Sequence, residues 1–128
     1  MGGPDRTDDT DLTSLEQARR IAALCEERLA QNVAILDMQS VCDYTDYFVI
    51  ATGQNARQTK AIHDEVYAGL KRDEQVTPRS TSGLPEASWI VADYLDVVLH
   101  VFTPETREYY RLEDLWDDVP KLEALASA

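Results

Sequence analysis

The sequence predicts a single α/β domain in which a mixed β-sheet is flanked by helices. The chain has 128 residues, a length that suits one hydrophobic core. Its hydrophobic periodicity changes along the chain in the order helix, strand, strand, helix, hairpin and helix. Because helix and strand alternate incompletely, a mixed sheet is favoured over a doubly wound parallel sheet.

The first predicted elements are a capped helix and two strands. Thr13 to Glu16 has the S/T-x-x-E form of a capping box, with Thr13 as the N-cap residue. Apolar residues then recur at three- and four-residue spacing, so we expect a helix that ends at about Ala30. The short apolar runs Val33–Met38 and Tyr47–Thr52 predict two strands of a buried sheet.

A second helix is predicted directly after the second strand. Gly53 breaks the strand, and Asn55 is a good N-cap for a helix over residues 56–71. The residues expected on its inner face are Thr59, Ile62, Val66 and Leu70. His63 is expected on its solvated surface.

The rest of the chain is predicted in less detail. Residues 72–87 are polar, with a weak edge strand near residues 76–81. Thr103 and Pro104 predict the start of another helix, because Thr is a good N-cap and proline fits the first helical position. No internal repeat or linker divides the chain.

Two short extensions are expected to flank the domain. Residues 1–12 are polar and carry glycine, proline and acidic residues, which predicts a disordered acidic N-terminus. Residues 13–117 are expected to form the domain, and residues 118–128 a C-terminal tail.

The charge of the chain limits its partners. There are 24 Asp and Glu residues against 12 Lys and Arg residues, which gives a formal net charge of -12 at pH 7. Such a surface repels phosphate backbones, so direct contact with nucleic acid is not expected. The charge favours a basic protein partner, although many soluble proteins are simply acidic, and both interpretations stay open.

The cysteines and the hydropathy indicate a cytoplasmic protein. Cys25 and Cys42 form neither a metal-binding spacing nor a disulfide framework, and Cys25 is expected to be a buried free thiol. No apolar run approaches the length of a membrane span, and the acidic start resembles neither a signal nor a transit peptide. We therefore expect a reducing compartment and no membrane contact.

Residues 87–102, ASWIVADYLDVVLHVF, predict a β-hairpin with two different faces. If Tyr94 and Leu95 form a two-residue loop, Asp93 pairs with Asp96 and Trp89 pairs with His100. The aliphatic face would carry Ile90, Ala92, Val97, Leu99 and Val101. The opposite face would then hold a tryptophan, a histidine and two facing carboxylates.

The Trp89 face has two interpretations. An aromatic anchor with an acidic rim is typical of interface hot spots, so Trp89, Asp93 and Asp96 are candidates for binding a basic partner, flanked by Tyr94 and His100. Alternatively, a C-terminal helix of the same chain covers this face, and Trp89 is an ordinary core residue. The residues alone leave both interpretations open.

Motifs for catalysis are weak. The five glycines form no P-loop and no dinucleotide fingerprint. The turn at Gly53 could hold an anion, as in nucleotidyltransferases, but these enzymes also need two carboxylates one residue apart on a strand to bind Mg²⁺. The only Asp-x-Asp pattern is Asp9-Thr-Asp11, in the N-terminal extension. A metal site from His100, Asp93 and Asp96 has weak support from spacing, so we expect no catalytic residue, metal or cofactor.

Three sequence blocks keep the order and spacing of a known protein family. They are DYFVIATGQNARQTKAI (residues 46–62), WIVADYLDVVLHVF (residues 89–102) and REYYRLEDLW (residues 107–116). The blocks resemble the patterns D-Y/C-F-V-I-x-S/T-G-x-S-x-R-Q, W-x-x-x-D-x-G-D-x-x-x-H-x-F and R-x-x-Y-x-L-E-x-L-W. These are patterns of the ribosomal silencing factor family, whose members are also called Iojap-related proteins. The resemblance covers about residues 14–117.

This resemblance implies a non-enzymatic protein with a nucleotidyltransferase-like fold that lacks the catalytic acidic pair. Members of the family are homodimers when free and bind the large ribosomal subunit through the basic ribosomal protein numbered fourteen. They then sterically block joining of the small subunit and repress translation when nutrients are scarce. The resemblance assigns partner binding to Trp89, Asp93, Asp96 and His100, with Tyr94 between the two aspartates.

The chain departs from the family patterns at three places. The family's turn glycine is Leu95, its Glu-Gly before the tryptophan is Ser82-Gly83, and its serine in the strand-to-helix turn is Asn55. The first two departures bear on the shape of the binding rim.

The residues expected to hold the C-terminal segment on the sheet are Arg107, Tyr110 and Glu113. Two alternative functions remain, a residual Mg²⁺-dependent nucleotidyltransferase and an adaptor for another basic protein.

Overall fold

The structure, a computed structural model, describes residues 13–111, Asp114 and the backbone of residues 121–122. Its helices are α1 (Ser14–Glu27), α2 (Ala56–Glu74) and α3 (Pro104–Tyr110). Its strands are β1 (Gln31–Asp37), β2 (Tyr47–Thr52), β3 (Ser80–Ser82), β4 (Trp89–Asp93), β5 (Val97–Phe102) and β6 (Lys121–Leu122). The predictions for residues 1–12, for Glu113 and for most of residues 118–128 lie outside the described residues.

The strands form one mixed sheet, as the sequence predicts. Their order is β3-β4-β5-β2-β1-β6. The central strands β2 and β5 are parallel, and the other neighbours pair antiparallel. A parallel pair needs a crossover connection, which α2, β3 and β4 provide between β2 and β5. The pairing of β6 with β1 was not predicted.

Helices α1 and α2 bury the main core against one face of the sheet. Thr13 and Glu16 form the predicted capping box, and the Asn55 side chain accepts a hydrogen bond from the Gln58 N–H. Cys25 is a fully buried free thiol, as predicted. The four residues predicted for the inner face of α2 are also buried, namely Thr59, Ile62, Val66 and Leu70.

The prediction for His63 was wrong, because this side chain is buried and not solvated. It lies one turn after Thr59 and two turns before Leu70, so it falls at the margin of the buried stripe of α2. Its Nδ1 lies 3.0 Å from Asp64 Oδ1. The buried stripe of α2 is therefore wider than the apolar residues alone indicate.

The opposite face of the sheet carries a second and smaller core, which we call the aromatic face. Its buried members are Leu36, Met38, Phe48, Ile50, Val98 and Phe102, and the partly buried residues Cys42, Trp89 and Val91 pack against them. Because paired residues share a face, the registers place His100 on this face as well. This is the side of the hairpin that the sequence singles out.

Candidate functional site

The register of the hairpin differs from the predicted register. Trp89 pairs with Phe102, and Asp93 pairs with Val98 rather than with Asp96. The Tyr94 N–H donates to the Val97 carbonyl over 2.9 Å, so the two loop residues are Leu95 and Asp96. The facing pair of carboxylates that the predicted register implies is therefore absent.

The backbone conformation of Leu95 accounts for the difference. Leu95 has a φ of 81°, a conformation that non-glycine residues adopt at a cost. Asp93 Oδ1 accepts a hydrogen bond from the Leu95 N–H over 2.8 Å, and the Asp96 N–H donates to the Tyr94 carbonyl over 3.1 Å. These two bonds hold leucine where the family pattern has glycine.

The change of register leaves the faces of the hairpin intact. Each residue of β4 faces a residue two positions further along β5 than predicted, and side chains alternate with a period of two. Trp89, Val91 and Asp93 therefore share the aromatic face with His100, while Ile90 and Ala92 remain in the helix-side core.

Trp89 lies at the centre of a group of aromatic rings. Its ring centroid is 5.0 Å from that of Phe102 in a stacked arrangement and 4.8 Å from that of Tyr110 on α3. The side chain is half-buried, so part of the indole remains accessible. Helix α3 therefore covers one side of the ring, as the second interpretation of the Trp89 face expects, and leaves another side open.

Helix α3 is held at the end of the sheet by Arg107. Its Nη1 donates to the Asn32 carbonyl and to Thr52 Oγ1, each over 2.7 Å. These bonds fix the helix that carries Tyr110 over Trp89. The two described residues expected to anchor the C-terminal segment, Arg107 and Tyr110, therefore both contact the sheet.

His100 joins Trp89 to the interior of the aromatic face. Trp89 Nε1 donates to His100 Nδ1 over 3.1 Å, so the neutral imidazole carries its proton on Nε2. The ring packs 4.6 Å from Phe48, centroid to centroid, and is only 7% exposed. Burial lowers the pKa of His100 to about 4, so the ring is uncharged at neutral pH.

The two aspartates have different surroundings. Asp93 is partly buried, and its Oδ2 accepts a hydrogen bond from Arg79 Nε over 3.1 Å. Asp96 is exposed, and its backbone carbonyl accepts hydrogen bonds from the N–H groups of Asp46 and Tyr47. Of the two carboxylates, Asp96 is the more available to a partner.

Tyr94 does not lie where the sequence interpretation places it. Its side chain is buried in the core on the helix side of the sheet, not on the aromatic face. Burial raises the pKa of its hydroxyl group. Because residue 94 continues the alternation of β4, an even-numbered position points toward α1 and α2. Tyr94 therefore does not flank Trp89 and Asp93.

The accessible part of the aromatic face is concentrated on β4 and β3. The β4 residues Trp89, Val91 and Asp93 are partly exposed, whereas their partners on β5 are buried. Ser80 and Ser82 pair with Asp93 and Val91, share their face and are exposed. We call these five residues the β4 surface. The two serines were missed, since the sequence shows no pattern that assigns them to this face.

The turn at Gly53 uses its own side chains to satisfy its backbone amides. The Gln54 N–H donates to Gln58 Oε1 over 2.8 Å, and the Gln58 N–H donates to Asn55 Oδ1 over 2.9 Å. The Gly53 N–H donates to the Phe102 carbonyl. Three donors that could bind an anion are therefore occupied, which disfavours a nucleotide at this turn.

Residues 13–111 and the few described positions beyond them show neither a metal-binding cluster nor a membrane-spanning helix. Within that part of the chain, no three His, Cys, Asp or Glu side chains come together in a way that could hold a metal ion. No helix there is long and apolar enough to cross a membrane.

Comparisons with known proteins point to one family. The family described as "Ribosomal silencing factor during starvation" matches residues 11–127. The ribosomal silencing factor of Bacillus subtilis is 38% identical over 100 residues, which cover 77% of this chain and 83% of that protein. A mouse protein named mitochondrial assembly of ribosomal large subunit protein 1 is 31% identical over 101 residues, which cover 75% of this chain and 43% of that protein.

A solved structure has a similar fold. The crystal structure of a protein from Chromobacterium violaceum matches this fold with a TM-score of 0.80 and 27% sequence identity, covering 91% of this chain and 97% of that one. The family match spans residues 11–127, and the relative from Bacillus subtilis exceeds 30% identity over most of the chain. The chain therefore belongs to the ribosomal silencing factor family.

Proposed function

We propose that this protein binds the large ribosomal subunit and prevents the small subunit from joining it, which represses translation. In this proposal the contact is made with the basic ribosomal protein numbered fourteen. The protein acts as a steric block and not as an enzyme, and it uses no metal or cofactor. We also propose that the protein is cytoplasmic and that it forms a homodimer when it is not bound to ribosomes.

The observation that carries the proposal is the half-buried Trp89 on an otherwise well-packed sheet. Three neighbouring aromatic rings fix the indole, and its N–H is bound to His100. A tryptophan that is held rigidly loses little conformational entropy on binding, and this is typical of hot-spot residues. Trp89 is therefore our candidate for the apolar anchor of the interface.

Charge supports a basic partner. The chain has a formal net charge of -12, and Asp96 presents an exposed carboxylate beyond the end of the β4 surface. Complementary charge accelerates and orients association with a basic protein. Asp93 is already paired with Arg79, so its proposed role is to shape the turn and contribute negative potential.

His100 has an indirect role in this proposal. Its ring is almost fully buried and accepts the hydrogen bond of the Trp89 indole. His100 therefore holds the Trp89 indole in position from its buried side, whereas Trp89 and Asp96 contact the partner directly. Tyr94 stabilises the turn through its backbone bond to Val97 and has no proposed contact with the partner.

The relation to nucleotidyltransferases is proposed for the fold alone. A strand-to-helix turn with a glycine at residue 53 follows β2, as it does in those enzymes. The strand that would carry the two metal-binding carboxylates has no Asp-x-Asp pattern in this chain. A residual nucleotidyltransferase function is therefore not favoured, because the carboxylate pair for Mg²⁺ is missing from that strand and the backbone donors of the Gly53 turn are already bonded.

The affinity of the protein for purified large subunits tests the proposal. Replacing Trp89 with alanine is expected to weaken binding by about tenfold or more, because truncation of a hot-spot aromatic typically costs at least about 1–2 kcal/mol. The variant Trp89→Phe keeps an aromatic ring and is expected to lose less. Circular dichroism of both variants establishes that they are folded.

Three outcomes separate the proposal from its alternatives. Tight binding by wild type that the Trp89→Ala change weakens supports the proposal. Binding that is unchanged by this substitution contradicts the role of the β4 surface. If wild type binds large subunits no better than an unrelated acidic protein does, the ribosomal partner is wrong and an adaptor for another basic protein becomes the better explanation.

A further inference from the structure

The loop between β1 and β2 lies against the turn of the hairpin. The N–H groups of Asp46 and Tyr47 donate to the Asp96 carbonyl over 2.9 and 3.1 Å. At the other end of the loop, the Met38 N–H donates to the Asp46 carbonyl over 2.8 Å. These backbone bonds close the loop between Met38 and Asp46 and fix its last residue beside Asp96.

Three large apolar side chains of the loop and of the hairpin turn are exposed. Val41 is 51% exposed, Tyr44 is 59% exposed and Leu95 is 51% exposed. We call these three residues the loop patch. Exposed apolar side chains are ordinary when isolated, but a group of them beside a candidate interface is typical of a contact region.

Cys42 connects the loop patch to the β4 surface. Its half-buried side chain packs against the aromatic-face cluster, to which Trp89 and Val91 also belong. The loop therefore continues the surface that begins at Trp89. Trp89 and Leu95 are six residues apart, so the two regions are separated by at most about 20 Å along an extended strand.

Tyr44 is the most exposed of the three side chains. Desolvation, a hydrogen bond with Cys42 and the negative charge of Asp93 all raise the pKa of Tyr44. The side chain therefore lies near Cys42 and Asp93, while more than half of its surface is accessible to solvent. An exposed tyrosine ring can accept a cation over its face.

Acidic residues lie near Tyr44 along the chain and across the junction with the hairpin turn. Asp43 and Asp96 are exposed, and Asp93 lies close enough to Tyr44 to affect its titration. An aromatic ring beside carboxylates fits a lysine or arginine side chain, whose apolar stem would contact Val41 or Leu95.

We propose that the loop patch, together with the neighbouring Asp43 and Asp96, is a second contact point, at which Tyr44, Asp43 and Asp96 take a lysine or arginine side chain of the basic partner. The proposal rests on the proposed function and extends it from Trp89 to the other end of the same surface. A second copy of this chain is a poorer occupant, because it would bring further carboxylates against Asp43 and Asp96.

Affinity measurements with purified large subunits test the second contact point. The variants Tyr44→Ala and Asp43→Asn change the second contact point. The control variants Tyr67→Ala and Glu27→Gln likewise remove a tyrosine ring and neutralise a carboxylate, but on α2 and α1, away from the aromatic face. Each protein is measured at about 0.1 M and about 0.3 M salt, since exposed charge interactions are screened at the higher salt concentration.

We expect Tyr44→Ala to weaken binding by about tenfold and Asp43→Asn by about threefold at the lower salt concentration. The loss from Asp43→Asn should shrink at the higher salt concentration, and both control variants should bind within about twofold of wild type. Circular dichroism and light scattering establish that fold and mass are unchanged.

The outcomes distinguish this inference from the proposed function. If Trp89→Ala weakens binding and the two patch variants do not, the loop patch is not a contact point, although the proposed function stands. If wild type does not bind large subunits, both are wrong. If Tyr44→Ala changes the mass of the protein in solution, the patch is occupied by a second copy, and the inference is overturned.

Discussion

The buried histidine of the aromatic face predicts a specific dependence of stability on pH. The pKa of His100 is lowered from 6.5 to about 4 by burial, with Phe48, Phe102 and Trp89 as its aromatic neighbours. In the unfolded chain the same imidazole has a pKa near 6.5. The unfolded state therefore binds more protons between these two values, and the folded state loses stability as the pH falls through this interval.

The magnitude follows from the difference between the two pKa values. A difference of about 2.5 units corresponds to about 3 kcal/mol when the interval has been crossed completely. Between pH 7 and pH 5, about 2 kcal/mol of this should already be lost. For a domain of this size, such a loss would be a large fraction of the free energy of unfolding.

Urea unfolding at pH 7, 6 and 5, followed by far-UV circular dichroism, measures this dependence. The variant His100→Asn removes the titrating group and retains an oxygen that can accept the Trp89 hydrogen bond. The variant should be less stable than wild type at pH 7, because it loses aromatic packing. It should nevertheless lose less free energy than wild type between pH 7 and pH 5, by about 2 kcal/mol. Equal losses for the two proteins would refute the assignment of His100 as a buried neutral ring.

Two further predictions concern the supports of the β4 surface. Gly83→Ala should lower the free energy of unfolding by at least about 1–2 kcal/mol, because Gly83 has a φ of 87° and a Cβ there would lie 2.0 Å from the Trp89 carbonyl oxygen. If the urea concentration at the midpoint of unfolding were the same as for wild type, the conclusion that a side chain cannot be accommodated at residue 83 would be contradicted. Arg107→Met should cost about 1–2 kcal/mol, because it removes the hydrogen bonds to the Asn32 carbonyl and to Thr52 Oγ1. Thermal unfolding measures this loss, and a melting temperature equal to that of wild type would show that these bonds do not hold α3.

Local signals were sufficient to predict most of the helices and strands. The capping box at Thr13 and the N-cap at Asn55 mark the starts of α1 and α2, because these side chains bond to the backbone within three residues. Strand β2 has the predicted bounds, Tyr47–Thr52, and all six of its residues are buried. Such features depend on neighbours along the chain and are therefore visible in the sequence.

The features that the sequence did not predict depend on distant or conformational detail. The hairpin register depends on the positive φ of Leu95, which no residue preference of leucine indicates. The β6 strand is defined only by its pairing with β1, far away in the sequence. His63 is buried because α2 meets both α1 and the sheet, and this widens its inner face.

The sequence predicted the face of the hairpin that carries Trp89 and Asp93, but it did not predict the register or the position of Tyr94. Alternation along β4 places Trp89 and Asp93 on one face in either register, so that part of the interpretation was robust. The same alternation places Tyr94 on the opposite face. This was not predicted, because residue 94 was assigned to the loop and not to β4. The loop patch around Tyr44 was not predicted, because its exposure depends on the fold of residues 39–46.

The most direct test of the proposed function is a sucrose-gradient experiment with separated ribosomal subunits. The purified protein is incubated with large subunits, small subunits are then added, and the amounts of free subunits and joined ribosomes are compared with those for Trp89→Ala. The proposed function predicts that wild type sediments with large subunits and reduces the amount of joined ribosomes, and that the variant does so less. Joined ribosomes in equal amounts with and without wild type, even though it is bound to large subunits, would contradict the steric block.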